Sequence, residues 1–472
     1  MPFKRIRIAI GQDIEKCYPL LAAIIDNPEL ALSVQELFVD TMAWYIRPYY
    51  YPSFGAPEVP AKPISVNMAT HARLQDYVRG IGLDQAIAQQ MLDALDWKIA
   101  GGLLPRDETG PGPDTVASTV TVLLLSLCKH ISVLHGYGFE SDRIITEFLL
   151  KNNYNLLPQP ALQELKHVRI ATAHPENGAW YDRAEVLEHL RFFGRLPAME
   201  FLEEAGVMEY QMERGTAPPG TSNIRKIHLI HVDISSMSIA FMIRAARKLD
   251  EFKLSLGGLS CFDSASSVLR IKTLGKALLE HKTTLRSLEL DLETGLNLEW
   301  KRTSDYDKED TLEPGEDNDD DIDSYYRLDE AASNNRPLWT EHLPNTREYG
   351  LTMGSLHDLE SMTHLAIPIS ALLGPSSHPA PFRLVDALPP NLTWLRLYGY
   401  ERGSDKVHDE HVDELQEQLE ERFPLLAELE GVEEPIILGR TQRFGEPRSK
   451  PTREEMEELR ESFTLDLGWV EA

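Results

Sequence analysis

Leu285-Arg286-Ser287-Leu288-Glu289-Leu290 is the stretch on which the fold turns. Leu288 and Leu290 are two residues apart, so in an extended chain they share one face while Glu289 takes the other. Leu285 adds an apolar anchor where the chain enters the strand. The same spacing recurs at Val34, Leu37, Val39; Leu165, Val168, Ile170; Leu196, Met199, Phe201; Ile224, Ile227, Leu229; Leu249, Phe252, Leu254; Met362, Leu365, Ile367; and Leu392, Leu395, Leu397, with Ile131 and Val133 as a partial copy. Third positions fall at 133, 170, 201, 229, 254, 290, 367 and 397. Apart from the step between 290 and 367, which holds an acidic segment, the intervals suit one strand, one helix and two turns.

Helical periodicity fills the intervals. Ile14, Tyr18, Leu21 and Ile25 recur at helical steps until Asn27-Pro28 ends the run, and Ile87, Met91, Leu95; Val268, Ile271, Leu274, Leu278; and Val412, Leu415, Leu419, Phe423 repeat the pattern. A strand followed by such a helix cannot bury both apolar faces alone and stacks on its neighbours. The expected fold is therefore α/β: an irregular leucine-rich-repeat solenoid, a horseshoe with a parallel inner sheet and outer helices. An ordinary α/β domain with leucine-rich strands is the alternative. On the inner face the residues between the apolar positions meet solvent, which makes His228, Lys253, Glu289, His364 and Arg396 the candidate partner-facing residues.

Five segments follow: 1–113, an atypical N-terminal cap with Pro- and aromatic-rich stretches; 114–303, the first part of the array; 304–340, an acidic insertion; 341–435, the second part of the array; and 436–472, a tail and capping helix. Ser304 to Glu330 holds thirteen Asp or Glu against two basic residues, too few apolar groups to offset ordering, so a disordered loop is expected. Thr452 and Glu455 form a capping box ahead of Met456, Leu459 and Phe463.

With 75 acidic against 47 basic residues the net charge is -28, which disfavours a phosphate-tracking surface, and nucleic acid is not an expected partner. Cys17, Cys128 and Cys261 are distant and odd in number, which fits a reducing compartment better than a disulfide framework. The apolar stretch at the N-terminus is broken by Gly11, Gln12 and Asp13, and the longest apolar run, Val116 to Cys128, falls short of the roughly 20 residues that span a bilayer. An intracellular protein, cytoplasmic or nuclear and without a membrane partner, is expected.

Several further stretches carry a resemblance: Leu30-Ala31-Leu32-Ser33-Val34-Gln35-Glu36-Leu37, Leu190-Arg191-Phe192-Phe193-Gly194-Arg195-Leu196-Pro197, Ser222-Asn223-Ile224, Leu285 to Leu290, Ile367-Pro368-Ile369-Ser370-Ala371-Leu372-Leu373-Gly374, and Leu388-Pro389-Pro390-Asn391-Leu392. In order and spacing these resemble the fungal F-box and leucine-rich-repeat-like proteins. The resemblance implies an array that serves as a substrate receptor in ubiquitin-ligase complexes. An F-box opens with a Leu-Pro-x-Glu-Leu type signature, and none of the Leu-Pro pairs at 104, 157, 196, 343 and 388 continues that way. Binding of the ligase adaptor is thus an open expectation, separate from the partner-holding surface.

Other constellations are weaker. His228 and His231 sit three apart on a strand and so point to opposite faces, which does not suit a shared metal. His408 and His411, beside Asp409 and Glu410, lie one turn apart on a solvated helix face. Asp319, Asp321, Asp323 and Glu330 match a calcium-loop spacing, but Ser324 stands where the loop needs glycine. No Gly-x-Ser-x-Gly elbow, phosphate-binding glycine loop or His-Glu-x-x-His is present. Neither a cofactor nor a metal is expected. The expected function is non-catalytic protein binding; an enzyme with an unrecognised site on an α/β fold is the alternative.

Overall fold

Strands with one apolar and one polar face must cover the apolar side, and the computed structural model shows how this chain does so. It describes residues 3–9, 11–41, 67–100, 112–171, 181–209, 218–257, 269, 271–292, 352–374, 379–432 and 470–471. The acidic segment 304–330 with its calcium-like spacing, Cys261, Val268 and the expected helix after Thr452 lie outside the described residues.

The chain divides into two compact units, Met1–Glu176 with Arg191–Phe201 and Glu457–Ala472, and Asn177–Leu190 with Leu202–Met456. In chain order the elements are β1 (Phe3–Ile8), α1 (Gly11–Asp26), β2 (Glu36–Asp40), α2 (Met68–Gly80), α3 (Gln85–Ile99), α4 (Pro113–Leu127), β3 (Val133–Tyr137), α5 (Arg143–Asn153), β4 (His167–Ala171), β5 (Asp182–Ala184), α6 (Val186–Phe193), β6 (Phe201–Ala205), β7 (Val207–Glu209), β8 (Lys226–Val232), α7 (Ser236–Ala245), β9 (Glu251–Leu256), α8 (Ile271–Leu279), β10 (Ser287–Asp291), β11 (His364–Pro368), α9 (Ile369–Leu373), α10 (Leu384–Ala387), β12 (Trp394–Tyr398), α11 (Lys406–Arg422), β13 (Glu428–Glu430) and β14 (Val470–Glu471). In each unit the strands form a mostly parallel sheet with helices between them, and within the second unit β5 and β7 form a separate parallel pair. The architecture is mixed α/β.

Within the first unit β1, β2, β3 and β4 are parallel neighbours in chain order, with β14 antiparallel to β1. Within the second, β8 to β13 are likewise parallel and in chain order. Neither series reverses direction, so neither contains the switch point at which doubly wound sheets open a ligand crevice. Right-handed crossovers that always add the next strand on one edge send their connections to one side. Burial agrees with that: in β9 and β10 buried and half-exposed residues alternate, with Phe252, Leu254, Leu288 and Leu290 at most 1% exposed.

A backbone motif repeats at strand entries. The Asp250 carbonyl accepts from Arg286 N–H (2.8 Å) and Ser287 N–H (3.1 Å), that of Arg286 from Thr363 (2.9 Å) and His364 (3.1 Å), and that of Thr363 from Thr393 (2.8 Å) and Trp394 (3.1 Å). Gln35, Ser132 and Lys166 do the same in the first unit. Hydroxyls reinforce the later copies: Thr363 Oγ1 donates to the Arg286 carbonyl at 3.2 Å and Thr393 Oγ1 to that of Thr363 at 3.0 Å. One residue thus fixes the register of each successive strand, which is why the rows of side chains run straight across the sheet.

Helix starts are set by short polar side chains that satisfy otherwise orphaned N–H groups. Asp142 accepts from Ile144 and Ile145 at the start of α5, and Asp405 from Val407 and His408 at the start of α11. The apolar run read at Val116–Cys128 is α4, buried on most sides, whose Ser118, Thr119, Thr121 and Ser126 hydroxyls bond back to carbonyls of the same helix. No helix among the described residues is long and apolar enough to cross a membrane.

Three local expectations are corrected. The triplet Leu196, Met199, Phe201 is out of register: Lys166 receives Glu200 and Phe201 at strand entry, so the core positions are Met199, Leu202 and Glu204, and Phe201 lies on the opposite face, stacked on His167 at 4.3 Å. The third core position there is a fully buried carboxylate. Glu204 Oε1 lies 2.9 Å from His189 Nδ1, both residues 0% exposed, a polar pair where β2, β4 and β8 to β12 are aliphatic. In β3 the partial copy Ile131, Val133 is also out of register: Val133 pairs with His167, and the core positions are Leu134 and Gly136, which pairs with Ile170. In α1 the inward residue of the last turn is Ile24, 1% exposed, and not Ile25. The strands β1 and β13 extend the two series beyond the sequence triplets.

Candidate functional site

The five candidate partner-facing residues fall on five adjacent strands of the second unit. Pairing aligns His228 with Lys253, Lys253 with Glu289, Glu289 with Ala366, Ala366 with Arg396 and Arg396 with Glu430. One step toward the strand starts, a second row runs Lys226, Glu251, Ser287, His364, Trp394, Glu428. The structure thus brings four of the five predicted residues into one row and places His364 in the next.

These side chains form a nearly continuous polar network. His228 Nε2 is 2.9 Å from Glu251 Oε1, which also faces Lys253 Nζ at 3.8 Å; Lys226 Nζ lies 3.8 Å from the other Glu251 oxygen. Lys253 Nζ pairs with Glu289 Oε2 at 3.1 Å, and the other Glu289 oxygen accepts from Tyr398 Oη at 3.2 Å. That last contact crosses a whole strand. It is possible because β11 offers only Ala366 between Glu289 and Arg396, and Ala366 is fully buried there. Arg396 lies over the Tyr398 ring at 5.3 Å and faces Glu430 Oε2 at 3.2 Å, while Trp394 Nε1 donates to Glu430 Oε1 at 3.3 Å.

Burial and neighbours shift two of these groups. Burial lowers the His228 imidazole even though Glu251 pulls the other way. Burial first, and then the Glu289 and Asp291 charges, push the Tyr398 phenol up to about 12, so it remains a donor to Glu289 at any ordinary pH. Pairs between adjacent strands at 15–45% side-chain exposure are individually weak, roughly 0.2–1 kcal/mol each. Their value lies in fixing where each charge points.

Sequence reasoning missed Tyr398, Trp394 and Glu430. The signal was present, since Trp394 and Tyr398 flank Arg396 with the same two-residue alternation; what could not be foreseen was the room left by Ala366. The other histidines behave separately. His231 adopts φ 48° in a bulge between Leu229 and Val232. His408 Nε2 meets the Gly374 carbonyl at 3.3 Å, and His411 Nδ1 accepts from Leu384 N–H at 3.5 Å. Among the described residues no three His, Cys, Asp or Glu converge as a metal site.

No protein family matches the chain, and no similar curated protein or solved structure is found.

Proposed function

We propose that the chain is a leucine-rich-repeat-type array that holds another protein on the exposed face of β8–β13. The observation that carries this is the network from His228 to Glu430, which runs across six consecutive strands in two aligned rows. Its charges are spread along the sheet and paired between neighbours, as suits a broad recognition surface, and do not converge on one reacting point. Strands in chain order, with the same carbonyl motif at the entries of β9 to β13, are what a stacked repeat requires. Resemblance to F-box substrate receptors supplies a setting for such a surface, and recovery of the ligase adaptor with this protein is a separate test of that setting.

Photo-crosslinking tests the proposal. p-Benzoylphenylalanine placed at Lys253 or Arg396 is expected to capture a protein partner that the same group at Glu417 or Glu421, exposed on α11, does not capture. Equal capture from both faces, or capture only from α11, would overturn it.

A further inference from the structure

We propose that the β11–β13 end of this face receives an arginine- or lysine-bearing extended segment of the partner, an inference that rests on the face being the partner surface. The charge inventory is the first ground. Each cation on the two rows already has a carboxylate: Lys226 has Glu251 at 3.8 Å, Lys253 has Glu289 at 3.1 Å, and Arg396 has Glu430 at 3.2 Å. What is left over is negative. Glu428 is exposed on the terminal strand, directly opposite Trp394 in register.

The second ground is the indole itself. Its N–H is committed to Glu430 at 3.3 Å, which fixes the ring, and the exposed His364 ring lies 6.3 Å away. A fixed, half-exposed aromatic face with carboxylates on the adjacent strand suits a cation that can stack and ion-pair at once, and a guanidinium does both. The face holds its own example two residues along, where Arg396 lies over Tyr398 at 5.3 Å. An apolar segment would strip water from Glu428 and Glu430 without replacing it, and an acidic one would be repelled. The net charge of -28 adds long-range attraction for a basic partner.

Carboxylates on a short edge strand also discourage strand addition. That role asks nothing of Trp394, so the aromatic ring separates the two explanations. The experiment titrates the full chain against a fluorescein-labelled octapeptide of alternating glycine and arginine, with a glycine–glutamate octapeptide beside it. Trp394→Leu and Glu428→Gln/Glu430→Gln are each expected to weaken the arginine peptide by about tenfold, a shift of the size expected for a lost cation–π contact or paired charge. Glu417→Gln/Glu421→Gln removes the same charge from α11 and is expected to change binding less than about twofold, as distant exposed charges are screened. Equal weakening by the α11 variant, or full binding by Trp394→Leu, overturns the proposal. Should either occur while photo-crosslinks from Lys253 and Arg396 still capture a partner, only the basic-segment inference fails; if those crosslinks fail too, the surface itself is wrong.

Discussion

Glu204 is the sharpest departure from the repeat, and replacing it with leucine gives the repeat what its pattern asks for. The equivalent residues Ile170, Leu229, Leu254, Leu290, Ile367 and Leu397 are all at most 1% exposed. Glu204→Leu changes volume little, so no large cavity opens. What it removes is the acceptor at 2.9 Å from His189 Nδ1, in a site where neither residue touches solvent. A buried donor deprived of its acceptor costs about 1–3 kcal/mol. At about 1.4 kcal/mol per factor of ten, amide hydrogen exchange in β6 and β8 should quicken on the order of 10- to 100-fold. Glu204→Gln keeps an acceptor oxygen and should quicken exchange by less than about tenfold. His189→Leu/Glu204→Leu removes donor and acceptor together and should recover most of the loss. Peptide-resolved exchange over 201–209 and 224–232 reads all three. Unchanged exchange in Glu204→Leu, or a double variant worse than the single, would refute the reasoning.

A Cβ at Gly275 would sit 1.9 Å from the Met353 carbonyl oxygen, so Gly275→Ala should destabilise by about 1–3 kcal/mol in urea unfolding, whereas Gly80→Ala, with nothing within 4 Å, should be neutral or slightly stabilising. Burial works against the Glu36 carboxylate, but the hydrogen bonds and charges of His135 and Arg5 outweigh it and hold the group down to about 2 from 4.5. Its contribution is present above pH 4.5 and lost as pH falls through about 2, a loss that acid unfolding should show and that Glu36→Gln should abolish. Burial first, and then neighbouring carboxylates, raise Tyr18, Tyr398 and Tyr400 from 10 to about 12, so their contribution is complete below pH 10 and lost as pH rises through about 12. Phenolate absorbance should rise together with unfolding in that window, and Tyr398→Phe should remove one phenol from the late-ionising group.

Much of the sheet was legible because its core obeys a period of two with an anchor three residues earlier, and Leu285-x-x-Leu288-x-Leu290 states that rule without interruption. Legibility ended where a polar residue took an apolar place. Glu204 broke the triplet, and the matching pattern Leu196-x-x-Met199-x-Phe201 falls three residues early, ending on Phe201, which stacks on His167 on the opposite face. At β1 and β13 the pattern is incomplete: Glu428 and Glu430 bracket a single apolar residue, and only the Thr393 carbonyl, receiving Ala427 and Glu428, places that strand. The strand and face of each candidate residue, His228, Lys253, Glu289, His364 and Arg396, were legible because alternation alone decides them. Their partners were not, since the Tyr398–Glu289 contact depends on the small Ala366 from a third strand. One-dimensional periodicity carries faces well and cross-strand neighbours poorly.

The network on β8–β13 is proposed to bind another protein. The most direct measurement takes the protein captured by crosslinking and compares its affinity for the native chain and for Glu289→Lys/Glu430→Lys, with thermal unfolding of both recorded alongside. A loss of tenfold or more in affinity with little change in unfolding is predicted; undiminished affinity in the variant would contradict the account.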